Sequence, residues 1–372
     1  MSFSSIPIID LEEAFDPEKK PRFLANLQYA LINVGFLLLV NHEKHGPSKQ
    51  DFLDIKEQAI EFFALGDDVK KGCEMINSPH FLGYSRLGNE ITSGKADWRE
   101  QIDLATELPA PKEGEPLYKQ IEGPNLWPDE QYAPNFRPVV TEYIKKMTQL
   151  GTKFRRLVCE ALELPPECFE SYFKENQQCK MKLIAYPDIV HEKTQALKQD
   201  KKTNLGQGVG PHRDSDFLTY IFQASNHNCS LQVQNFQGEW ISVDSDPGAL
   251  VVNVGQTLEA ITNGVCKATI HRVVSPKLGS GTRISIPFFQ TIDLDCRKTG
   301  ASGIPSDILK KRDERDRRIT DWGVDVGFQF TPDVSKHPVG YTVFRNRIKS
   351  HQDVAAKWYP EVLTQVLCEY SA

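Results

Sequence analysis

Short β-rich segments follow one another between residues 179 and 297. They read MKLIAYP, FLTYIFQ, LQVQNFQGEWISV, ALVVNVG, ATIHRVV and RISIPFF, and turn signals separate them. Segments of this length and spacing are typical of an antiparallel sandwich or barrel. The letters NFQG lie between two alternating runs and indicate a hairpin turn. The sequence therefore predicts a mainly β core.

The residues before this core carry helical periodicity. Two segments, KKPRFLANLQYALINVG and KQDFLDIKEQAIEFFAL, repeat apolar residues at helical spacing, and FLLLVNH between them is a candidate buried strand. In the second segment we expect Phe52, Ile55, Ile60 and Phe63 near one face. Residues 136–164 predict a long helix that ends before two prolines. Residues 77–130 are rich in Pro, Gly and polar residues, which predicts a long loop there.

Charge and composition argue against several classes of partner. The net charge is -6 at pH 7, and the charges are interspersed, so no basic surface for nucleic acid is expected. The 8 cysteines are scattered without zinc-type spacing. No apolar stretch approaches the roughly 20 residues needed to cross a bilayer, and the N-terminus does not resemble a secretory signal. We expect a cytoplasmic protein without a membrane or nucleic-acid partner, as a monomer or weak homodimer.

A histidine and an aspartate lie two positions apart in GVGPHRDSDFLTYIFQ, residues 208–223. In an extended strand, His212 and Asp214 point to the same side and supply two metal ligands. A third ligand must come from elsewhere, and the β-rich region offers His271, inside a predicted strand, and His227, in a polar turn. Two imidazoles and one carboxylate form the facial triad of non-haem Fe(II) oxygenases. The alternatives are a zinc hydrolase site and a polar loop without metal.

An arginine and a serine follow the distal histidine. Arg283 and Ser285 lie two apart in RISIPFF, hence on one face of a strand. A guanidinium group binds carboxylates through two parallel hydrogen bonds, and a nearby hydroxyl adds a third. An arginine in an apolar strand is costly unless it is paired, which favours an anionic ligand over a surface position.

These motifs together resemble the 2-oxoglutarate and Fe(II)-dependent dioxygenases, in the branch of isopenicillin N synthase and anthocyanidin synthase. The segments IPIIDL, GFLLLVNH and EFFAL are similar to the N-terminal region of that branch, and GEWISV and GALVVNVGQTLEAITNG to its core. The resemblance covers nearly the whole chain. It implies a double-stranded β-helix, or jelly roll, surrounded by helices.

The resemblance also implies roles for particular residues. His212, Asp214 and His271 correspond to the iron ligands, and Arg283 and Ser285 to the clamp for the distal carboxylate of 2-oxoglutarate. Tyr186 matches a tyrosine that contacts the same cosubstrate, whereas Ile184 replaces the polar residue of that motif. The implied cofactors are Fe(II), 2-oxoglutarate and O2, with ascorbate as a candidate helper.

The loop segment LGNEITSGKADW is similar to a stretch of the bacterial ethylene-forming enzyme. The similarity implies that Glu90 and Thr92 face the substrate, although Ser215 replaces a tyrosine of that enzyme. A carboxylate there favours a substrate with an amine, guanidine or hydroxyl donor. The alternative for Glu90 is a solvated loop carboxylate. Further candidate substrate contacts are Phe289, Arg345 and Lys357.

We expect four regions within one compact unit. They are an N-terminal region with the substrate loop (1–135), a supporting long helix (136–178), the jelly-roll oxygenase core (179–297) and a C-terminal helical extension (298–372). The expected reaction is hydroxylation, desaturation or oxidative ring closure of a small organic molecule in specialised metabolism. The alternatives are an ethylene-forming or arginine-oxidising dioxygenase and a non-catalytic relative that binds a small molecule.

Overall fold

The computed structural model describes residues 2–92, 95–188, 206–297, 303–319 and 337–371. The long β-rich region forms two sheets that face each other. The larger sheet has 8 strands and the smaller sheet has 4. Apolar side chains from both sheets, including Ile184, Val209, Ile221 and Val233, pack between them.

The strands of the larger sheet come from both halves of the chain. Its N-terminal strands are β1 (Ile8–Asp10), β2 (Phe36–Val40), β3 (Gly83–Ser85) and β6 (Glu100–Ala105), and its later strands are β7 (Lys180–Tyr186), β9 (Leu218–Gln223), β12 (Ala249–Val254) and β14 (Arg283–Gln290). Across the sheet these strands follow the order β1-β2-β12-β9-β14-β7-β6-β3. Only the β1–β2 pair within it is parallel. Regions 1–135 and 179–297 thus share one sheet, while the boundaries drawn between the four regions stay a prediction.

The smaller sheet is antiparallel throughout. It consists of β8 (Gln207–His212), β10 (Leu231–Gln234), β11 (Trp240–Ser242) and β13 (His271–Val274), in the order β11-β10-β13-β8. A separate two-stranded hairpin pairs β4 (Ile91–Thr92) with β5 (Lys95–Ala96). The predicted turn at NFQG joins β10 to β11. Two facing sheets that do not close into a barrel form a jelly roll, so the predicted fold class is confirmed.

Helices surround the sheets. Those in the described part of the chain are α1 (Lys20–Asn33), α2 (Lys49–Ala64), α3 (Asp67–Gly72), α4 (Phe136–Ala161), α5 (Gln256–Ile261), α6 (Ser306–Asp316), α7 (Val339–Ser350), α8 (Gln352–Trp358) and α9 (Pro360–Ser371). The long amphipathic α4 packs against α1 and α2 on the outside of the larger sheet. No helix in the described ranges is long and apolar enough to span a membrane.

Two predictions about local structure were wrong. Residues 100–105 lie in the stretch predicted to be a loop, yet they form β6 in the interior of the larger sheet. Strand neighbours on both sides stabilise β6 although its alternate residues are polar. In α2, Ile60 is 49% exposed, and Phe62 is buried instead. Phe52 and Ile55 are buried as predicted, and the buried face continues through Ala59 and Phe62 rather than through Ile60 and Phe63.

Gly35 joins α1 to β2 in a conformation that other residues avoid. Its φ is +75°, and an added Cβ would lie 2.0 Å from the carbonyl oxygen of Lys267. We expect Gly35→Ala to lower the free energy of unfolding by more than the roughly 1–2 kcal/mol of a left-handed alanine, because the backbone contact adds to that cost. Urea unfolding measures the change. The control is Gly114→Ala, which has φ +87° and open space around it. Equal losses in both variants would contradict the steric part of this prediction.

Candidate active site

Three side chains that can bind a metal lie close together where β8 ends and β13 begins. His212 ends β8 and His271 begins β13, and these two residues are direct partners in the register of the sheet. Oδ1 of Asp214 lies 3.5 Å from Nε2 of His212 and 3.7 Å from Nε2 of His271. One ligand atom from each residue lies within 4.8 Å of the others, and no other group of this kind occurs in the described ranges.

The alternative third ligand, His227, lies elsewhere. Its ring contacts the Ser225 hydroxyl and the backbone carbonyls of Ser280 and Gly281 at 3.0–3.1 Å. Asp214 follows the end of β8, so the two ligands of the H-x-D motif do not share a strand as predicted. They converge because the chain turns after His212.

Backbone and side-chain contacts fix the orientation of all three groups. Nδ1 of His212 lies 2.8 Å from the Gly210 carbonyl and Nδ1 of His271 lies 3.3 Å from the Thr269 carbonyl, so both Nε2 atoms face Asp214. Oδ2 of Asp214 accepts hydrogen bonds from the Thr219 hydroxyl and the Asn253 amide, at 2.5 and 2.9 Å. Such outer contacts orient metal ligands and are typical of metal sites.

The protonation states of His271 and Asp214 suit metal binding, whereas His212 carries a proton that a metal ion must displace. Burial would lower the pKa of His212, but its contact with the Asp214 carboxylate outweighs burial and raises that pKa. Burial and the nearby His212 ring lower the pKa of His271 to about 4. Burial alone would raise the pKa of Asp214, but the His271 and His212 rings outweigh it and hold that pKa well below its ordinary value. At neutral pH the group therefore offers a neutral imidazole and an ionised carboxylate, the forms that bind metals.

Arg283 is buried, and no carboxylate of the described residues forms an ion pair with it. It is 1% exposed, and its Nη2 donates a hydrogen bond to Oε1 of Gln223 at 3.0 Å. Its guanidinium lies 5.1 Å from the ring centre of Tyr186, and Ser285 is buried two residues further along the strand. Among the described residues, Nε and Nη1 of Arg283 find no partner. An anionic ligand would offset the cost of burying this charge.

Both sets of residues line one cavity of about 1220 Å³ between the two sheets. Alternate residues of β7 and β14 face it, and Phe289 lies on its wall as predicted. Its walls also include Glu90, Thr92 and Arg345. The cavity therefore joins the metal ligands, the buried arginine and the predicted substrate loop.

Glu90 is held by cations of the protein itself. Its carboxylate lies 2.7 Å from Nη2 of Arg99 and 3.4 Å from Nζ of Lys182, and its side chain is only 11% exposed. Burial would raise the pKa of Glu90, but Arg99 and Lys182 outweigh it and hold the pKa well below its ordinary value. The alternative of a solvated loop carboxylate is therefore wrong. Equally, the charge of Glu90 needs no cationic substrate to balance it.

Thr92 contacts a residue that the sequence did not single out. Its hydroxyl donates to Oδ2 of Asp97 at 2.7 Å, and Oδ1 of Asp97 accepts from Nε2 of Gln207 at 3.0 Å and from the Gly210 backbone at 3.3 Å. Asp97 is fully buried, and burial raises its pKa. These bonds attach the loop to β8, which carries His212.

The predicted C-terminal contacts differ in position. Arg345 lines the cavity, but it is paired with Glu369 of α9. Lys357 is not among the lining residues: its side chain is exposed on α8, with the ammonium 5.3 Å from the ring centre of Trp358. The prediction for Lys357 was wrong because Val354 and Ala355 are the residues that α8 buries. Two further basic residues of this region, Arg347 and Lys349, also line the cavity.

Two basic residues on β7 were not predicted from the sequence. Lys180 and Lys182 line the cavity and alternate with the apolar residues of MKLIAYP. Two lysines at even spacing in a strand place their charges on one face. This spacing was the signal that could have identified them.

A jelly roll with two histidines, one carboxylate and a buried arginine facing one cavity has the features of non-haem iron oxygenases. Comparisons with known proteins agree. Residues 6–130 match the family of the N-terminal region of non-haem dioxygenases in morphine synthesis, and residues 181–292 match the 2OG-Fe(II) oxygenase superfamily. The chain is 43% identical over 98% of its length to the 2-oxoglutarate-dependent dioxygenase frbJ of Dothideomycetidae sp. (strain 11243), 95% of which is covered.

The chain belongs to the 2-oxoglutarate and Fe(II)-dependent dioxygenases. Homoarginine-6-hydroxylase 2-ODD-C23 of Glycine max is 33% identical, with 81% of this chain and 92% of that protein covered. Among solved structures, JOX2 in complex with 2OG, Fe and JA is 27% identical with a TM-score of 0.64, and 81% of this chain and 79% of that chain are covered. The dioxygenase for auxin oxidation in rice shares the fold, with a TM-score of 0.59, 24% identity, and 82% of this chain and 87% of that chain covered.

Family membership establishes the activity in outline. The protein is an oxidoreductase that depends on Fe(II) and 2-oxoglutarate, uses O2 and acts on a small molecule. The predicted superfamily, the predicted enzyme class and the predicted use of Fe(II), 2-oxoglutarate and O2 are thereby confirmed.

Proposed function

We propose that His212, Asp214 and His271 bind the catalytic Fe(II), and that the enzyme hydroxylates a small polar molecule in the cavity. The donor set fits this metal, because two imidazoles and a carboxylate on one side of an ion leave the opposite positions open. The supporting observation is that all three ligand atoms converge within 4.8 Å at the wall of the large cavity.

The proposal includes a binding site for 2-oxoglutarate. Arg283 would bind the distal carboxylate through the unpartnered Nε and Nη1, with Ser285 and Tyr186 beside it. Both partner strands hold Arg283 in place, since Tyr186 is its neighbour on β7 and Gln223 on β9 accepts the hydrogen bond from Nη2. A charge-assisted, bidentate contact of this kind fixes orientation as well as affinity.

The chain and the metal have separate tasks. Bound Fe(II), with 2-oxoglutarate and O2, supplies the oxidising power that removes a hydrogen atom from an unactivated C–H bond. Thr219 and Asn253 hold one oxygen of Asp214, which leaves Oδ1 directed at the metal position.

Relatives favour hydroxylation over desaturation or ring closure. Homoarginine-6-hydroxylases from Glycine max and Arabidopsis thaliana are 33% and 32% identical to this chain. An arginine-oxidising or ethylene-forming reaction has less support, because Glu90 is already paired with Arg99 and Lys182. The non-catalytic alternative is disfavoured, since all three candidate ligands are present. Specialised metabolism, a cytoplasmic location and a monomer or weak homodimer stay predictions, as does the lack of membrane and nucleic-acid partners.

Release of succinate and CO2 from 2-oxoglutarate tests the proposal. Purified protein with Fe(II), 2-oxoglutarate and air is expected to form both products slowly without substrate, and Zn(II) in place of Fe(II) is expected to give neither. A zinc hydrolase or a binding protein would form no succinate under either condition. That result with protein shown to be folded would contradict the proposed function.

We expect Glu90→Gln to destabilise the protein more than it alters cosubstrate binding. The change leaves Arg99 and Lys182 with one carboxylate fewer in a largely buried cluster, at a cost of about 1–3 kcal/mol in the free energy of unfolding. Urea unfolding measures it. The control is Glu142→Gln, whose partner Lys145 is 64% exposed and whose loss should cost at most about 1 kcal/mol. Unchanged stability with weaker substrate binding would instead make Glu90 a direct substrate contact.

A further inference from the structure

The cavity has a second polar end, opposite Arg283. Side chains that face the cavity alternate along β7 and β14, and the register pairs Arg283 with Tyr186 at one end and Phe289 with Lys180 at the other. Six residues of strand separate the two ends, which corresponds to roughly 20 Å. The end that Lys180 and Phe289 mark is therefore distinct from the proposed 2-oxoglutarate clamp.

The metal ligands lie toward this second end. Thr219, which donates to Asp214, is the partner of Phe289 in the register between β9 and β14. Gln223, which contacts Arg283, lies at the other end of β9. A molecule at the Lys180 end would therefore approach the metal ligands from the side away from Arg283.

Lys180 presents a buried ammonium group to this end of the cavity. It donates to the Ile121 carbonyl and to Oε1 of Gln178, and no carboxylate of the described residues lies within salt-bridge distance. Burial, with the positive charge of Arg347, lowers the pKa of Lys180 to about 7. A bound anion would offset this cost of burial, and the third N–H of the ammonium is available to donate to it.

Helix α7 forms the adjoining wall and carries two further unsatisfied groups. Thr342 is 7% exposed, and within the described part of the chain neither its Oγ1 nor Nδ2 of Asn346 has a hydrogen-bond partner. Both residues line the cavity, and a spacing of four places them on one face of the helix. Close packing fixes this wall, because a Cβ at Gly340 would lie 2.4 Å from the Tyr118 ring. Buried polar groups without partners are uncommon and indicate a ligand or water.

One carboxylate at this end is also unmatched. Asp216 lines the cavity, and within the described ranges its carboxylate accepts one long hydrogen bond from the Ser215 hydroxyl, at 3.5 Å, and takes part in no salt bridge. The neighbouring charges are already paired: Asp103 lies 3.2 Å from both Lys182 and Arg347. The second end thus keeps one cation and one anion that do not pair with each other.

We propose that this end binds the zwitterionic head of an amino-acid substrate. Lys180, with Asn346 and Thr342, binds the carboxylate, and Asp216 accepts from the ammonium. A zwitterion satisfies both unmatched charges at once, which a simple acid or amine does not. The side chain of the amino acid then extends toward His212, Asp214 and His271. This inference rests on the proposed function and adds the class of substrate.

A panel of L-amino acids tests the inference. The holoenzyme with Fe(II) and 2-oxoglutarate is mixed separately with each common L-amino acid, with ornithine and with homoarginine, and succinate is measured. At least one is expected to raise succinate formation above the substrate-free rate and to gain one oxygen atom by mass. If none does while substrate-free succinate is normal, the inference fails and the proposed function stands. Absence of all succinate from folded protein would contradict the proposed function itself.

Variants then assign the carboxylate contact. For the most effective amino acid, Lys180→Met is expected to raise KM roughly ten- to hundred-fold, and to abolish the preference for the free acid over its α-amide. Thr342→Val is expected to reduce the same preference, and it provides an independent test if Lys180→Met does not fold. The control is Lys174→Met, because Lys174 pairs with Glu122 and Asp293 and does not line the cavity. An undiminished preference for the acid in both cavity variants would overturn the assignment.

Discussion

His271→Ala is expected to abolish turnover and the retention of iron. His271 supplies one of the three candidate ligand atoms found among the described residues, and it is buried at the start of β13, where none of the other described side chains can replace it. Loss of an outer partner alone typically costs 10–100-fold in metal affinity or activity, so the loss of a ligand should exceed about 100-fold. Iron content after gel filtration and succinate formation measure the two effects.

His227→Ala is the matched control for this prediction. His227 is the alternative third ligand that the sequence offered, and its ring contacts only Ser225, Ser280 and Gly281 among the described residues. We expect the variant to keep iron and activity. If His227→Ala lost iron while His271→Ala kept it, the assignment of the third ligand would be reversed.

Arg283→Ala is expected to weaken 2-oxoglutarate binding by roughly 10- to 150-fold. A hydrogen bond to a charged group contributes about 1.5–3 kcal/mol, and Arg283 offers its unpartnered nitrogens to the cosubstrate. The fold should tolerate the change, because removal of a buried, uncompensated cation also removes its desolvation cost. The KM for 2-oxoglutarate and thermal unfolding measure the two effects separately.

Arg137→Ala serves as the control for an arginine outside the cavity. Its guanidinium lies 5.4 Å from the Trp127 ring centre on the surface, so we expect its 2-oxoglutarate KM to equal that of the wild type. An unchanged KM in Arg283→Ala, with the protein folded, would place the cosubstrate clamp at another basic residue of the cavity.

Much of the fold follows from local sequence signals. Short β-rich runs bounded by turn signals locate β7, β9, β12 and β14, and a capping box at Ser48 and Asp51 begins α2. Strand β6 was missed because its residues, EQIDLA, alternate weakly and lie in a polar stretch. Its position depends on pairing with β3 and β7, and long-range pairing of this kind leaves little trace in local sequence.

In the candidate site, too, short motifs predict some residues, whereas others come together only through contacts between distant parts of the chain. His212, Asp214 and Arg283 were proposed from short motifs. Strand periodicity correctly placed Arg283 and Ser285 on one face of β14, but Asp214 lies beyond the end of β8 and reaches His212 without sharing its strand. The choice between His227 and His271 required the sheet register, which pairs His271 with His212. The ion pairs of Glu90 could not be predicted, because Arg99 and Lys182 reach it from separate parts of the chain. Lys357 was misplaced because the sequence does not fix the rotation of the short helix α8.

Anaerobic titration with 2-oxoglutarate tests the proposed site most directly. An α-keto acid that chelates Fe(II) produces a visible charge-transfer absorption, which reports metal and cosubstrate together without turnover. The wild type with one equivalent of Fe(II) is expected to develop this band and saturate. His271→Ala is expected to show no band, and Arg283→Ala the same band only at much higher 2-oxoglutarate. A wild-type band retained unchanged in both variants would contradict the assignment of iron and 2-oxoglutarate to these residues.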